Sequence, residues 1–313
     1  MTADPVYQLY GLTIESAVAL ALPLAGDQDG ADVRLVYPGR SAAPLPAAER
    51  GGRDLAIDER GWQLRFRRMT GDWVSFRYCR ATRQLVVTGT DAWDDIVPIL
   101  FGVAAGVLLR DRGSCVFHGS AVAHRGGAVA VLGPSGAGKS TLAGALMAKG
   151  AWLVTDDLIV PERLADGFTV QAGHRRLSLE PDAADVLPIN GTPSILFPSR
   201  SRGSKLWIDA DAFPGGFAAE PARLSAIYVL EPRDVARTWP EVVVLPTRSA
   251  AVALMQQVYG VDWIGQPTAE LLRHCTEVAS RVPVARLRRP HDLAALADTA
   301  ELLLAATFAT VPT

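Results

Sequence analysis

The chain has 313 residues, 49% hydrophobic and 20% charged, with a formal net charge of −2. That is globular composition with material for a sizeable core, enough for one large domain or two modest ones. The balance gives no support for a strongly basic face that would grip nucleic acid, though it leaves a local basic patch open.

The three cysteines, Cys79, Cys115 and Cys275, are widely spaced and odd in number. They suggest neither a disulfide framework nor a metal knuckle, and read as free thiols in a reducing compartment. The start Met1-Thr2-Ala3-Asp4-Pro5 lacks the pattern of a signal peptide, so a cytoplasmic location is expected. The longest apolar run, 96–109, is too short to span a bilayer and is bracketed by Asp94, Asp95, Arg110 and Asp111. It predicts a buried helix and no membrane partner.

Residues 7–90 read as β-rich. Runs at 7–12, 31–37, 62–67, 73–78 and 84–88 predict strands, punctuated by Gly, Pro and Asp. Segment 38–53 reads as a loop. Asp91 is placed to cap a helix running to about 109, which Arg112-Gly113 ends. These signals set a β-rich domain over 1–112 against a second domain over 113–313.

In the second part, 114–118 and 121–124 predict two strands of a small hairpin, and 128–132 a strand buried on both faces. Residues 133–140 read Gly-Pro-Ser-Gly-Ala-Gly-Lys-Ser. A helix over 139–149 follows, with Gly150 just past its end. A strand over 152–155 ends in Asp156-Asp157. Strand, glycine-rich loop, helix and strand make the βαβ unit of an α/β nucleotide-binding domain. Residues 187–217 read as one long irregular loop, broken by Pro188, Pro193, Pro198 and Pro214. Beyond it come a strand at 224–230, helices at 249–259 and 268–280, a strand at 282–287 and a closing helix at 291–306.

The loop is a P-loop in its required context, with an apolar strand before it and a helix after it. Gly133, Gly136 and Gly138 permit the tight turn. They, Ser135, Ala137 and Thr141 form the candidate nucleotide cradle, where amides and the helix N-terminus meet phosphate. Lys139 suits the β- and γ-phosphates, its head expected to face solvent when no ligand is bound, and Ser140 suits Mg²⁺. ATP and Mg²⁺ are therefore the expected cofactors.

Asp156 and Asp157 end the strand after the P-loop helix, so they are expected to open on the phosphate crevice. A surface turn or a helix cap is the plainer alternative. One acid can manage metal and the other can take the proton of an attacking hydroxyl. His118 lies 21 residues ahead of Lys139, either as a hydrogen-bonded core histidine or as part of the site. Among the basic residues, Arg175, Arg176, Arg200, Arg202 and Lys205 are each either solvated or able to clamp a phosphoryl group. Arg176 and Lys205 are the preferred candidates.

His118, the P-loop and the adjacent acids together resemble the HPr serine kinase/phosphorylase family, whose fold is shared with phosphoenolpyruvate carboxykinase. The resemblance covers residues 112–160. It implies a P-loop domain of that type and phosphoryl transfer to a serine. Asp156 would be the base, Asp157 the support for Mg²⁺, and His118 an orienting residue. The family's long signature after the acids is absent, and 175–179 is at most a loose counterpart. The first domain also differs from the family's own. The layout is similar instead to the divergent kinases encoded with ribosomally made peptides, lasso peptide clusters among them. That implies a serine in a peptide or small protein as acceptor; the β-rich character of the first domain makes it the candidate for gripping the rest of that peptide as an added edge strand, and homo-oligomerisation stays open. A nucleotide-gated regulator, a small-metabolite kinase and a transporter-type ATPase are the rivals. The last lacks its Leu-Ser-Gly-Gly-Gln signature here.

Overall fold

The computed structural model describes residues 4–26, 30–38, 53–67, 73–89, 93–191, 195–199, 203–264 and 268–308. The chain divides into two compact units, Met1–Ser114 with Gly260–Gly265, and Cys115–Tyr259 with Gln266–Thr313.

The first unit holds β1 (Val6–Leu9), β2 (Leu12–Ser16), β3 (Val33–Val36), β4 (Arg53–Asp58), β5 (Gly61–Arg67), β6 (Trp73–Cys79) and β7 (Gln84–Thr88). They form one sheet in the order β1-β2-β3-β7-β6-β5-β4. The single strand expected over 7–12 is instead a hairpin. Tyr10 and Gly11 both take positive φ, 55° and 80°, the requirement of a two-residue turn matched to strand twist. Most of the expected 38–53 loop, and the capping role of Asp91, fall outside the described residues.

The apolar run is helical and buried, as α1 (Trp93–Ile99), a π-helical segment (Leu100–Ala104) and α2 (Ala105–Asp111). Pro98 lies inside α1 and cannot donate to the helical ladder. The widened turn follows it, with the Ala105 N–H reaching back to the Leu100 carbonyl.

The second unit begins with β8 (Phe117–His124) and β9 (Gly127–Leu132), then α3 (Lys139–Ala148), β10 (Trp152–Thr155) and β11 (Leu158–Ile159). Next come β12 (Pro161–Leu164), β13 (Gly167–Val170), β14 (Arg176–Leu179), α4 (Pro181–Val186), β15 (Ile195–Ser199) and β16 (Gly203–Asp209). The chain continues through β17 (Ala222–Leu230), β18 (Glu241–Val244), α5 (Thr247–Met255), α6 (Val261–Ile264), α7 (Thr268–Arg281), β19 (Val284–Arg288) and α8 (Leu296–Phe308), with α6 grouping with the first unit.

Residues 114–124 are not a hairpin of their own, because β8 is one strand paired along its length with β9, and the turn lies at Arg125-Gly126, both at positive φ. Gly119 reads as a breaker but serves close packing. A Cβ there would sit 2.5 Å from Leu132 Cδ2 and 2.6 Å from the Val131 carbonyl oxygen. Nor is 187–217 one irregular loop. It contains β15 and β16, which pair antiparallel and join β14 in a three-stranded sheet. Pro198 is accommodated because β15 is an edge strand.

The large sheet runs β10-β8-β9-β17, with β19 and β18 continuing beside the end of β17, and β13 and β12 beside its start. The acid-bearing strand is therefore not the neighbour of β9. β8 lies between them, antiparallel to both, so β9 and β10 still point the same way. On the other flank β17 is parallel to β9, and β19 is parallel to β17. The C-terminal ends of β9, β10, β17 and β19 consequently open on one edge.

α3 is apolar on every side, as a helix buried between two layers must be. Leu142, Leu146 and Met147 share one core cluster with Val129 and Val131 of the large sheet and with Leu177, Leu179 and Ile208 of the small one.

Candidate active site

Between β9 and α3 the backbone makes the turn that the glycines allow. Gly136 and Gly138 lie at φ 77° and 91°, and Gly138 caps α3 in the left-handed region. Gly138 is also sterically constrained, since a Cβ there would lie 2.7 Å from an Arg233 side-chain nitrogen.

Lys139 does not face solvent. It is 7% exposed, and its ammonium donates to the carbonyls of Gly133 at 2.9 Å and Pro134 at 3.1 Å. Burial pulls it down to about 8, against the opposing pull of Asp157 and Asp156. A polyphosphate favours the charged form and so raises that value in a complex. Above pH 8 the free protein has lost a proton that the complex regains. Affinity for nucleotide is therefore expected to fall as pH rises through 8, by up to about tenfold per pH unit, and to be insensitive to this group well below 8. Titration calorimetry at pH 8.5 in two buffers of different ionisation heat is expected to show net proton uptake.

The acids differ sharply from each other. Asp156 is 2% exposed and accepts three hydrogen bonds, from the Ser120 hydroxyl at 2.6 Å, the Ser140 hydroxyl at 2.9 Å and the Ser178 amide at 2.9 Å. Asp157 has a side chain 46% exposed, with His118 Nδ1 3.4 Å from its carboxylate. Its φ of 81° is uncommon for a residue with a Cβ, and such outliers gather at working sites.

The cause of the kink is legible. β10 and β11 both pair with β8, and the two acids occupy the break between them. The Thr155 hydroxyl donates to the Leu158 carbonyl across the break, and the Gly119 amide donates to the Asp157 carbonyl.

His118 sits on β8, its ring near Tyr259. Burial pushes its pKa below the ordinary value, Lys139 and Lys205 push the same way, and Asp157 and Asp156 oppose them. The ring is thus neutral at pH 7.

The structure brings together His118, the P-loop, Lys139, Ser140, Asp156 and Asp157. Lys205, on β16, is near enough to oppose protonation of both Lys139 and His118. Arg176 has its guanidinium 4.8 Å over the Trp207 ring and acts on the buried His174, as Asp156 and Asp157 do, whereas Arg175 is ion-paired with Asp209 and Asp211. Arg200 and Arg202 lie outside the described residues. Four side chains at the site carried no signal in sequence: Ser120, Thr155, Arg233 and Arg289. Ser120 and the arginines become visible only once strands distant in sequence are laid side by side.

Mg²⁺ is commonly held through one or two carboxylates together with substrate phosphates. Ser140 and Asp156 fit that pattern, being a hydroxyl and a carboxylate in direct contact at the head of α3. Among the described residues, no helix is long and apolar enough to cross a membrane.

No protein-family model matches the chain, and no curated protein matches it. Among solved structures, the HPr(Ser) kinase/phosphatase from Coxiella burnetii aligns with 60% of this chain and 93% of its own, at 15% identity and a TM-score of 0.30.

Proposed function

We propose that this chain is a kinase that transfers the γ-phosphoryl group of MgATP to a serine hydroxyl of a peptide or small protein. The observation that carries the reading is the contact between Asp156 and the Ser140 hydroxyl beside Lys139 in the P-loop. An acid buried against the P-loop serine is what a magnesium–triphosphate site needs. The metal, when bound, offsets the charge of the phosphates.

In this reading the loop amides and Lys139 hold the β- and γ-phosphates once Lys139 exchanges its carbonyl partners for phosphate oxygens. Ser140 and Asp156 form the metal end. Asp157, exposed and next to a neutral His118, takes the proton of the attacking serine hydroxyl as that oxygen bonds to phosphorus and ADP departs. This reverses the roles that the family resemblance implies. The Asp156 oxygens are already taken up by three donors in a buried place, and the half-exposed Asp157 is free to meet a substrate. Lys205 stands ready to offset charge on the transferred group. The acceptor as a ribosomally made precursor peptide, held by the sheet of the first unit, completes the proposal, with ATP drawn from the cytoplasm.

The test is incubation with MgATP and candidate acceptors, read by mass spectrometry. A gain of one phosphoryl group on a serine supports the reading. ATP binding with no acceptor modified would point to a nucleotide-gated regulator, modification of HPr to the family's own activity, and modification of a metabolite to a small-molecule kinase. Lys139→Ala is expected to weaken MgATP binding by about 1.5–3 kcal/mol, the worth of a charge-assisted hydrogen bond. Unchanged affinity by calorimetry would remove the P-loop assignment.

A further inference from the structure

Arg289 is 7% exposed, yet it is not paired with any acid among the described residues. One terminal nitrogen, Nη2, donates to the Ala137 carbonyl in the P-loop, and Nη1 is buried with no partner among those residues. The charged group nearest it in effect is another cation, Arg233, whose guanidinium covers Gly138. Burial, then Arg233, lowers Arg289 to about 10. Two guanidinium groups set over adjacent P-loop residues and close enough to disfavour one another, one with a buried idle donor, are unfavourable until an anion joins them.

The sheet order says which part of an anion. Arg233 follows β17 and Arg289 follows β19, so both lie on one flank of β9. Asp156, Asp157 and His118 lie on the other flank, at β10 and β8. The P-loop sits between the two groups. A triphosphate seated in it has its reactive end towards the acids and its nucleoside end towards the arginines. A small hollow on the arginine side has Thr141, Arg233, Arg289, Asp292, Leu296 and Thr299 among its lining, with the Asp292 carboxylate turned to accept from the Ala294 amide.

We propose that Arg289 and Arg233 form an α-phosphate site that fixes the direction of the nucleotide across the sheet edge, with the nucleoside projecting past that flank. This rests on the nucleotide-binding reading above. It adds that the chain binds nucleoside di- and triphosphates by their α-phosphate as well as by the P-loop.

Calorimetry on the full chain tests it with Arg289→Met and Arg233→Ala, each checked for folding by thermal melting, and with Mg²⁺ complexes of ATP, ADP and inorganic pyrophosphate as probes. Each variant is expected to lose tenfold or more in affinity for ATP and ADP, while pyrophosphate, which fills the P-loop alone, changes less than about threefold. Equal loss for all three ligands would show that Arg289 only shapes the loop, and would overturn the proposal. So would wild-type ATP and ADP affinity in Arg233→Ala, which does not depend on the buried side chain. If ATP affinity falls in Lys139→Ala but in neither arginine variant, the arginine site is wrong and the P-loop reading stands. If the wild type binds none of the probes, both fall.

Discussion

Asp157→Asn is expected to lower turnover by a factor on the order of 10² to 10⁴, the usual worth of a positioned general base. Affinity for MgATP is expected to stay within about threefold, because the side chain is half exposed and the P-loop serine hydroxyl bonds to Asp156 instead. The substitution keeps size and shape and removes only the charge that accepts a proton. Asn also tolerates positive φ, so the kink survives. Single-turnover transfer from labelled ATP, with nucleotide affinity measured separately, gives both quantities. Full activity in Asp157→Asn would make the residue a turn element. Normal metal dependence with lost turnover in Asp156→Asn would instead restore the assignment implied by the family resemblance.

Asp156→Asn is expected to fail in a different way, with loss of stability and of metal dependence together. The native carboxylate satisfies three donors in a site closed to water. An amide offers one acceptor oxygen and turns its NH₂ towards groups that themselves donate. The serine hydroxyls can rotate to accept, but the Ser178 amide cannot. With the amide oxygen kept for Ser178, both hydroxyls lose a charge-assisted bond, a loss of about 1–3 kcal/mol. The Mg²⁺ concentration for half-maximal activity is expected to rise at least about tenfold, from the loss of a charged partner beside Ser140. Denaturant unfolding and a magnesium titration report the two effects. Unaltered stability in Asp156→Asn would mean that the three hydrogen bonds do not act as a clasp.

The local parts of the site were legible in sequence, and the nonlocal parts were not. The P-loop declares itself through glycine spacing between an apolar strand and a helix, all within neighbouring residues. His118 and the acids stand out as polar side chains at strand ends. Which strands lie side by side is set by pairing across long separations. The expected unit of two adjacent parallel strands misses β8, which runs between β9 and β10. The misread stretch 187–217 has the same cause. Its proline and glycine content mimics a loop, but β16 is stabilised by β14, some thirty residues away. Arg233 and Arg289 reach Gly138 and Ala137 only because β17 and, beyond it, β19 end on one flank of β9. Ser120 in mid-strand resembles any other small polar residue until the carboxylate it serves is known.

The break between β10 and β11 bears on how this chain can vary. Both short strands keep register with one continuous partner, β8, so the segment bearing the acids is clamped at each end by the same ladder. Adding or deleting one residue there would turn Leu158 and Ile159, both fully buried, towards the opposite face. Substitutions at 156 and 157 put chemistry at risk, but a change of length puts the sheet at risk. Descendants that abandoned catalysis would thus still be expected to retain two residues at this place, whatever their identity, and the gap itself would outlast the carboxylates.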